Sequence, residues 1–159
     1  MVRRLAGLLG GLILACAMPP TLEASELLTA ANLQQEAEQA ARTGRPLIVI
    51  FSRSDCKFCK AVKRDFLVPM ASDTRSERRI LIREVSQDSD AALIDFSGRP
   101  TTHAKLAAAE KIKLVPVVAF YGPGGRKLAE PIVGTRLPDF YQTYLDDAIE
   151  QASRKLKQP

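Results

Sequence analysis

The sequence predicts a single α/β domain built on a central mixed sheet of about four strands flanked by helices. Three observations carry this. The chain has 159 residues, a length for one domain plus a removable leader. Apolar residues make up 46%, enough for a core without disulfide staples. β-branched runs alternate with segments of helical periodicity in the order α-β-α-β-α-β-β-α, so part of the sheet is parallel and covered on both faces.

"LTAANLQQEAEQAARTG" (28–44) reads as a helix capped by Thr29, with Ala30, Leu33, Ala37, Ala40 and Ala41 on one face. Gly44 stops it and Pro46 prevents continuation. "PLIVIFS" (46–52) is a continuous apolar run, the pattern of a central strand. "CKFCKAVKRDFLVPM" (56–70) places Phe58, Cys59, Val62, Phe66 and Leu67 on a helical face. "RRILIREVS" (78–86) alternates as a strand. "PTTHAKLAAAEKIK" (100–113) is helical, capped by Thr101 or Thr102. "PVVAFYG" (116–122) is a strand, "PGG" a turn, and "RKLAEPIVG" (126–134) a strand pairing back as a hairpin. "PDFYQTYLDDAIEQASRKL" (138–156) is the last helix.

Residues 1–24 read as a secretory signal: Arg3 and Arg4, an apolar stretch from Leu5 to Met18, and cleavage after Ala24. The stretch is too short to span a bilayer comfortably, and no apolar run of about 20 residues exists elsewhere. "ILAC" also resembles the lipobox of bacterial lipoproteins. On that reading Cys16 carries lipid and tethers the domain to a membrane surface; otherwise Cys16 leaves with the leader. The mature chain then comprises a lead-in and helix over 25–45 and the main domain over 46–159. Without Arg3, Arg4 and Glu23 it has 21 basic and 17 acidic side chains, a charge of +4. This excess is scattered and not interleaved with aromatics, which excludes a single-strand nucleic-acid binder.

The chemistry lies in Cys56 and Cys59. A Cys-x-x-Cys at a helix start puts the first sulfur at unpaired N–H groups and the positive end of the dipole. Arg53, Lys57 and Lys60 add positive charge, while Asp55 opposes it slightly. Cys56 is therefore the expected low-pKa nucleophile. Cys59, one turn on and on the apolar face, is expected to be buried and to resolve a mixed disulfide. Other readings are open but weaker. Zinc needs about four ligands, and without the leader only two thiols, Cys56 and Cys59, and His103 are available. A c-type haem needs His where Lys60 stands. A structural disulfide closing so short a loop adds little. No metal and no cofactor is expected.

Strand, Cys-x-x-Cys, helix, then Val-Pro-Val before a hairpin: from Pro46 to Leu156 the chain resembles the thioredoxin family. "PLIVIFSRSDCKFCK" is similar to its active-site strand and loop, and "KIKLVPVVAFYGPGGRKLAEPIVG" to its later segment. The resemblance implies a thioredoxin-like fold, Cys56 as nucleophile, Cys59 as resolving thiol, and Pro116 as a cis-proline facing them. Gly134 matches the glycine ending the last strand. Val115 then offers main-chain hydrogen bonds to an extended substrate peptide.

Ser52 and Ser54 stand where cytosolic thioredoxins carry tryptophans. Ile50 stands in place of their buried acid, and Lys57-Phe58 in place of Gly-Pro. With the leader, these departures point to the thioredoxin-like proteins of the bacterial periplasm. Phe58 before the second cysteine is similar to some envelope reductases, and residues 72–101 leave little room for an oxidase's helical insertion. The expectation is an exported, monomeric thiol–disulfide oxidoreductase, reductase or isomerase rather than strong oxidase. It would act on protein disulfides or dithiols with an envelope redox partner. The alternative is a thioredoxin-fold binding or chaperone module with a structural Cys pair. His103 is expected on the surface, Asp146 and Asp147 in solvent, and Tyr141 and Tyr144 in the core. Glu84 is a candidate relay acid if it points under the motif.

Overall fold

The apolar run after Pro46 forms the strand around which everything else is arranged. In the computed structural model, which describes residues 26–73, 80–135 and 138–158, all six residues of β1 (Leu47–Ser52) are buried. The proposed leader lies outside the described residues. Helix α1 (Leu33–Arg42) precedes β1. Helix α2 (Lys57–Val62) follows it, continued by a π turn (Lys63–Leu67) and α3 (Val68–Ala71). Next come β2 (Leu81–Ser86), β3 (Ala92–Ile94), β4 (Pro100–Thr102) and α4 (His103–Ala109). The chain ends with β5 (Val117–Tyr121), β6 (Ile132–Val133) and α5 (Tyr141–Leu156).

The main sheet has the order β2-β1-β5-β6. β1 runs parallel to β2 and antiparallel to β5, and β5 antiparallel to β6. Alternation along the strands divides the core in two. Ile48, Ile50, Ile82, Val118 and Phe120 pack with Val62 and Leu67 of the motif helix and with Tyr141, Leu145 and Ile149 of α5. Leu47, Val49, Phe51, Val85, Val117 and Tyr121 pack with Leu33, Ala37 and Ala40 of α1 and Leu106 and Ala107 of α4. Burying each such large aliphatic side chain contributes about 1.5–3 kcal/mol.

Several boundaries differ from the sequence reading. α1 starts four residues after Thr29, because Asn32 is the better cap: its Oδ1 accepts from Gln35 N at 3.0 Å. Thr29 instead bridges to Glu84, and Ala30 N donates to Glu84 O at 2.9 Å, so the lead-in covers the free edge of β2. Gly44, at φ +70°, ends α1 as expected. The motif helix crosses Pro69, which lacks an N–H, with Val68 N donating five residues back to Lys63 O. Thr102 caps α4, while Pro100–Thr102 forms a short strand with Ala92–Ile94 that the sequence reading missed. The strand expected over 126–134 is real only at its ends. Lys127 bridges to Tyr121, the chain then leaves the sheet before Pro131, and Ile132–Val133 rejoin it.

Candidate functional site

The register gathers four chain segments at one end of the sheet. β1 runs out after Ser52 into the motif loop, and β2 runs out beside it, with Gln87 N donating to Ser52 O at 2.9 Å. β5 enters at the same end, since Phe51 pairs with Val117. β6 leaves there, with Gly134 N donating to Pro116 O at 2.8 Å. The Val115–Pro116 peptide bond is cis. The register thus sets Val115 and Pro116 beside the loop that carries the cysteines.

Cys56 is the N-cap of α2. Its Sγ accepts from Cys59 N at 3.0 Å, the place where an anion is favoured by unpaired N–H groups. Cys56 and Cys59 are joined by a disulfide, with Cα atoms 5.3 Å apart. Cys56 is 8% exposed and Cys59 1%, so Cys56 is the less deeply buried of the two. The loop before them is held in place: Ser54 N and Oγ both donate to Asp88 Oδ2, at 3.1 and 2.5 Å. These bonds, the Ser54 hydroxyl foremost, hold the Asp88 carboxyl below the usual carboxylate range.

The motif-flanking side chains divide. Arg53 Nε lies 2.5 Å from Asp55 Oδ1, so its charge is largely matched by its neighbour's. Lys57 is exposed, with Nζ 5.4 Å from the centre of the exposed Phe58 ring. Val115 is half-buried and Pro116 buried.

Beneath the motif helix lies a polar cluster that the sequence singled out only in part. Ser52, Glu84 and Ser86 alternate onto the face occupied by Ile50 and Ile82, the face on which the motif helix packs. Ser52 Oγ donates to Glu84 Oε1 at 2.5 Å, and Lys63 Nζ donates to both carboxylate oxygens at 2.7 and 2.8 Å. Lys63 and Glu84 side chains are 24% and 15% exposed. Ile50 and Glu84 are register partners, so an acid stands one strand over from Ile50. Lys63 follows Cys59 by four residues, the helical spacing that signals a shared face, and this was the legible clue.

His103 lies in the core, 1% exposed, against the surface position expected for it. Its Nδ1 accepts from Ser86 N at 3.2 Å, which leaves Nε2 to donate to Ala30 O at 3.1 Å. Burial pushes its pKa down, against smaller opposing effects of the Ala30 carbonyl and the Glu84 charge. The signal was its helical spacing with buried Leu106 and Ala107. Asp146 and Asp147 are in solvent as expected, and Tyr141 is core, but Tyr144 is exposed.

Among the described residues no cluster of three or more His, Cys, Asp or Glu side chains is placed to hold a metal ion. No helix among them is long and apolar enough to cross a membrane. A cavity of about 530 Å³ opens near Arg45, Phe66, Met70 and Ile149, at the opposite end of the sheet from the dithiol.

The family model described as "thioredoxin-like domain" matches residues 33–149, and the chain belongs to that family. The match begins within α1, ahead of the resemblance drawn from Pro46. No curated protein matches the sequence. Among solved structures, the chain is similar to oxidised thioredoxin O2 of Arabidopsis thaliana, at 15% identity over 80% of this chain and 94% of that one, with a TM-score of 0.51. It is similar to the thioredoxin of Trypanosoma brucei brucei, at 13% identity over 84% and 99%, again with a TM-score of 0.51. Likeness at this identity shows the fold. The fold and the Cys56–Cys59 pair together support thiol–disulfide oxidoreductase chemistry.

Proposed function

We propose that the protein is an exported thiol–disulfide oxidoreductase that reduces or isomerises disulfides of proteins in the periplasm. The observation that carries the exchange chemistry is the Cys56–Cys59 disulfide at a helix N-terminus, with Cys56 the more exposed of the two residues. In the reduced protein, Cys56 thiolate attacks one sulfur of a substrate disulfide. The substrate S–S bond breaks, a Cys56–substrate disulfide forms, and the released thiolate takes a proton. Cys59 thiolate then attacks the Cys56 sulfur and expels the second substrate thiol. Two electrons and two protons pass to the substrate, and the protein keeps the intramolecular disulfide. A reduced dithiol partner in the envelope restores the pair. Val115, placed by register beside the motif loop, holds the substrate chain through its main-chain groups. Support for export comes from the leader-like residues 1–24, and for a reducing or isomerising role from Phe58 before Cys59. Turnover of a small aromatic disulfide tests the reading. Cys56→Ser should lower it at least about a hundredfold, and Cys59→Ser should accumulate mixed disulfides with substrate. Undiminished turnover in Cys56→Ser would sink it.

A further inference from the structure

The dithiol opens onto a surface with a definite chemistry. Phe58 and Leu114 are 55% and 71% exposed, large apolar side chains left in water on the motif helix and on the loop entering β5. The β1–β5 ladder ends at Phe51–Val117, and Pro116, Val115 and Leu114 lie just outside it, at the end where β1 runs into the motif loop. Three exposed lysines, Lys57, Lys60 and Lys113, flank these positions, and none makes an ion pair among the described residues. Two carboxylates of this end are paired, Asp55 by Arg53 and Glu84 by Lys63, while Asp88 accepts from Ser54 and keeps its charge on the side of the motif loop where β2 runs out. Exposed Asp90 lies beyond β2, on the other side of the motif loop from Leu114. The approach to Cys56 is thus apolar at Phe58 and Leu114, and positive along the motif helix and at Lys113.

We infer that the substrate is an extended polypeptide segment whose disulfide is flanked by acidic side chains and an apolar one. This rests on the exchange reading above and adds the substrate's chemical class to it. The apolar side chain removes Phe58 and Leu114 from water, while Glu or Asp residues on either side meet Lys57, Lys60 and Lys113. Complementary charge of this kind acts mainly on the rate of encounter and is weakened by salt.

The test uses the reduced protein and two synthetic peptides with the same intramolecular disulfide and leucine, one flanked by glutamates and the other by lysines. At low ionic strength the glutamate peptide should oxidise the dithiol about tenfold faster, the ratio falling to about twofold near 1 M salt. Lys57→Glu, Lys60→Glu and Lys113→Glu combined should reverse the preference. Lys157→Glu, at the end of α5 by Gly122 and so at the opposite end of β5, should leave it in place. Equal rates for both peptides, or a preference unchanged in the triple variant, overturn the inference and leave the exchange reading standing. No exchange with either peptide overturns the exchange reading itself. Binding to anionic phospholipid vesicles through the same lysines, with equal peptide rates, assigns the rim to a lipid surface and also overturns the inference.

Discussion

His103 shows how one side chain can join three segments. Its two ring nitrogens bind the Ser86 amide in β2 and the Ala30 carbonyl in the lead-in, while its own helix packs on the sheet. Only the neutral ring can accept from Ser86, and burial already favours that form. The native pKa is therefore below the unfolded value of about 6.5. The unfolded chain takes up the proton first as pH falls, so the stability from His103 is full above about pH 6.5 and is lost as pH falls from there toward the depressed native value. One proton sets the steepest slope at about 1.4 kcal/mol per pH unit. Urea midpoints measured between about pH 7.5 and 5 should fall in the wild type, and His103→Gln should lack that component of the acid slope. Equal slopes in the two proteins would remove His103 as the cause. Cys56 and Cys59 were legible at this scale because two thiols at helical spacing after a buried strand have few other uses. His103 was misplaced because a polar residue near a helix start reads as surface until its partners, 17 and 73 residues away, are known.

At the scale of elements, the sequence placed every long one and misjudged the short ones. β1, β5 and α5 declare themselves by continuous apolar runs or helical periodicity. β3 and β4 are three residues each and rest on pairing with each other and on Ile94 N donating to Ala31 O, which local pattern does not reveal. The 126–134 segment has strand-like composition, but Pro131 cannot donate to a ladder. The contact between the motif helix and β2 is the element-scale feature with the clearest energetic consequence. Glu84 has Lys63 and Ser52 as partners in a half-buried setting, so removing the carboxylate leaves the Lys63 ammonium unmatched and the buried Ser52 hydroxyl with only Ser86 Oγ, 3.5 Å away. Glu84→Ala should cost about 1–3 kcal/mol by chemical denaturation. Adding Lys63→Met should recover much of that loss, because the stranded charge goes with it. A neutral Glu84→Ala variant would mean the pair contributes nothing to holding the helix.

For the molecule as a whole, the sheet's register explains why the cysteine loop, Val115, Pro116 and Gly134 lie at one end of the sheet although they span residues 56 to 134. None of these positions is near the others in sequence. Parallel β1–β2 and antiparallel β1–β5 pairing bring three loops to one end, and the cysteine helix is fixed there by its own apolar face. The resemblance to the thioredoxin family named Pro116 as a cis-proline, and the Val115–Pro116 bond is cis. Composition and periodicity alone gave the layers but not which loops would be neighbours, since register depends on contacts distant in sequence.

The proposed exchange requires Cys56 and Cys59 to form a reversible two-electron couple. Equilibrating the protein in glutathione or dithiothreitol buffers and counting free thiols tests it directly. One reversible transition is expected, lost in Cys56→Ser, with a potential between about −180 and −270 mV, the range of isomerases and thioredoxin. A pair that stays oxidised in strongly reducing buffers, or that never closes in oxidising ones, would contradict it and leave a thioredoxin-fold module whose cysteines do no exchange.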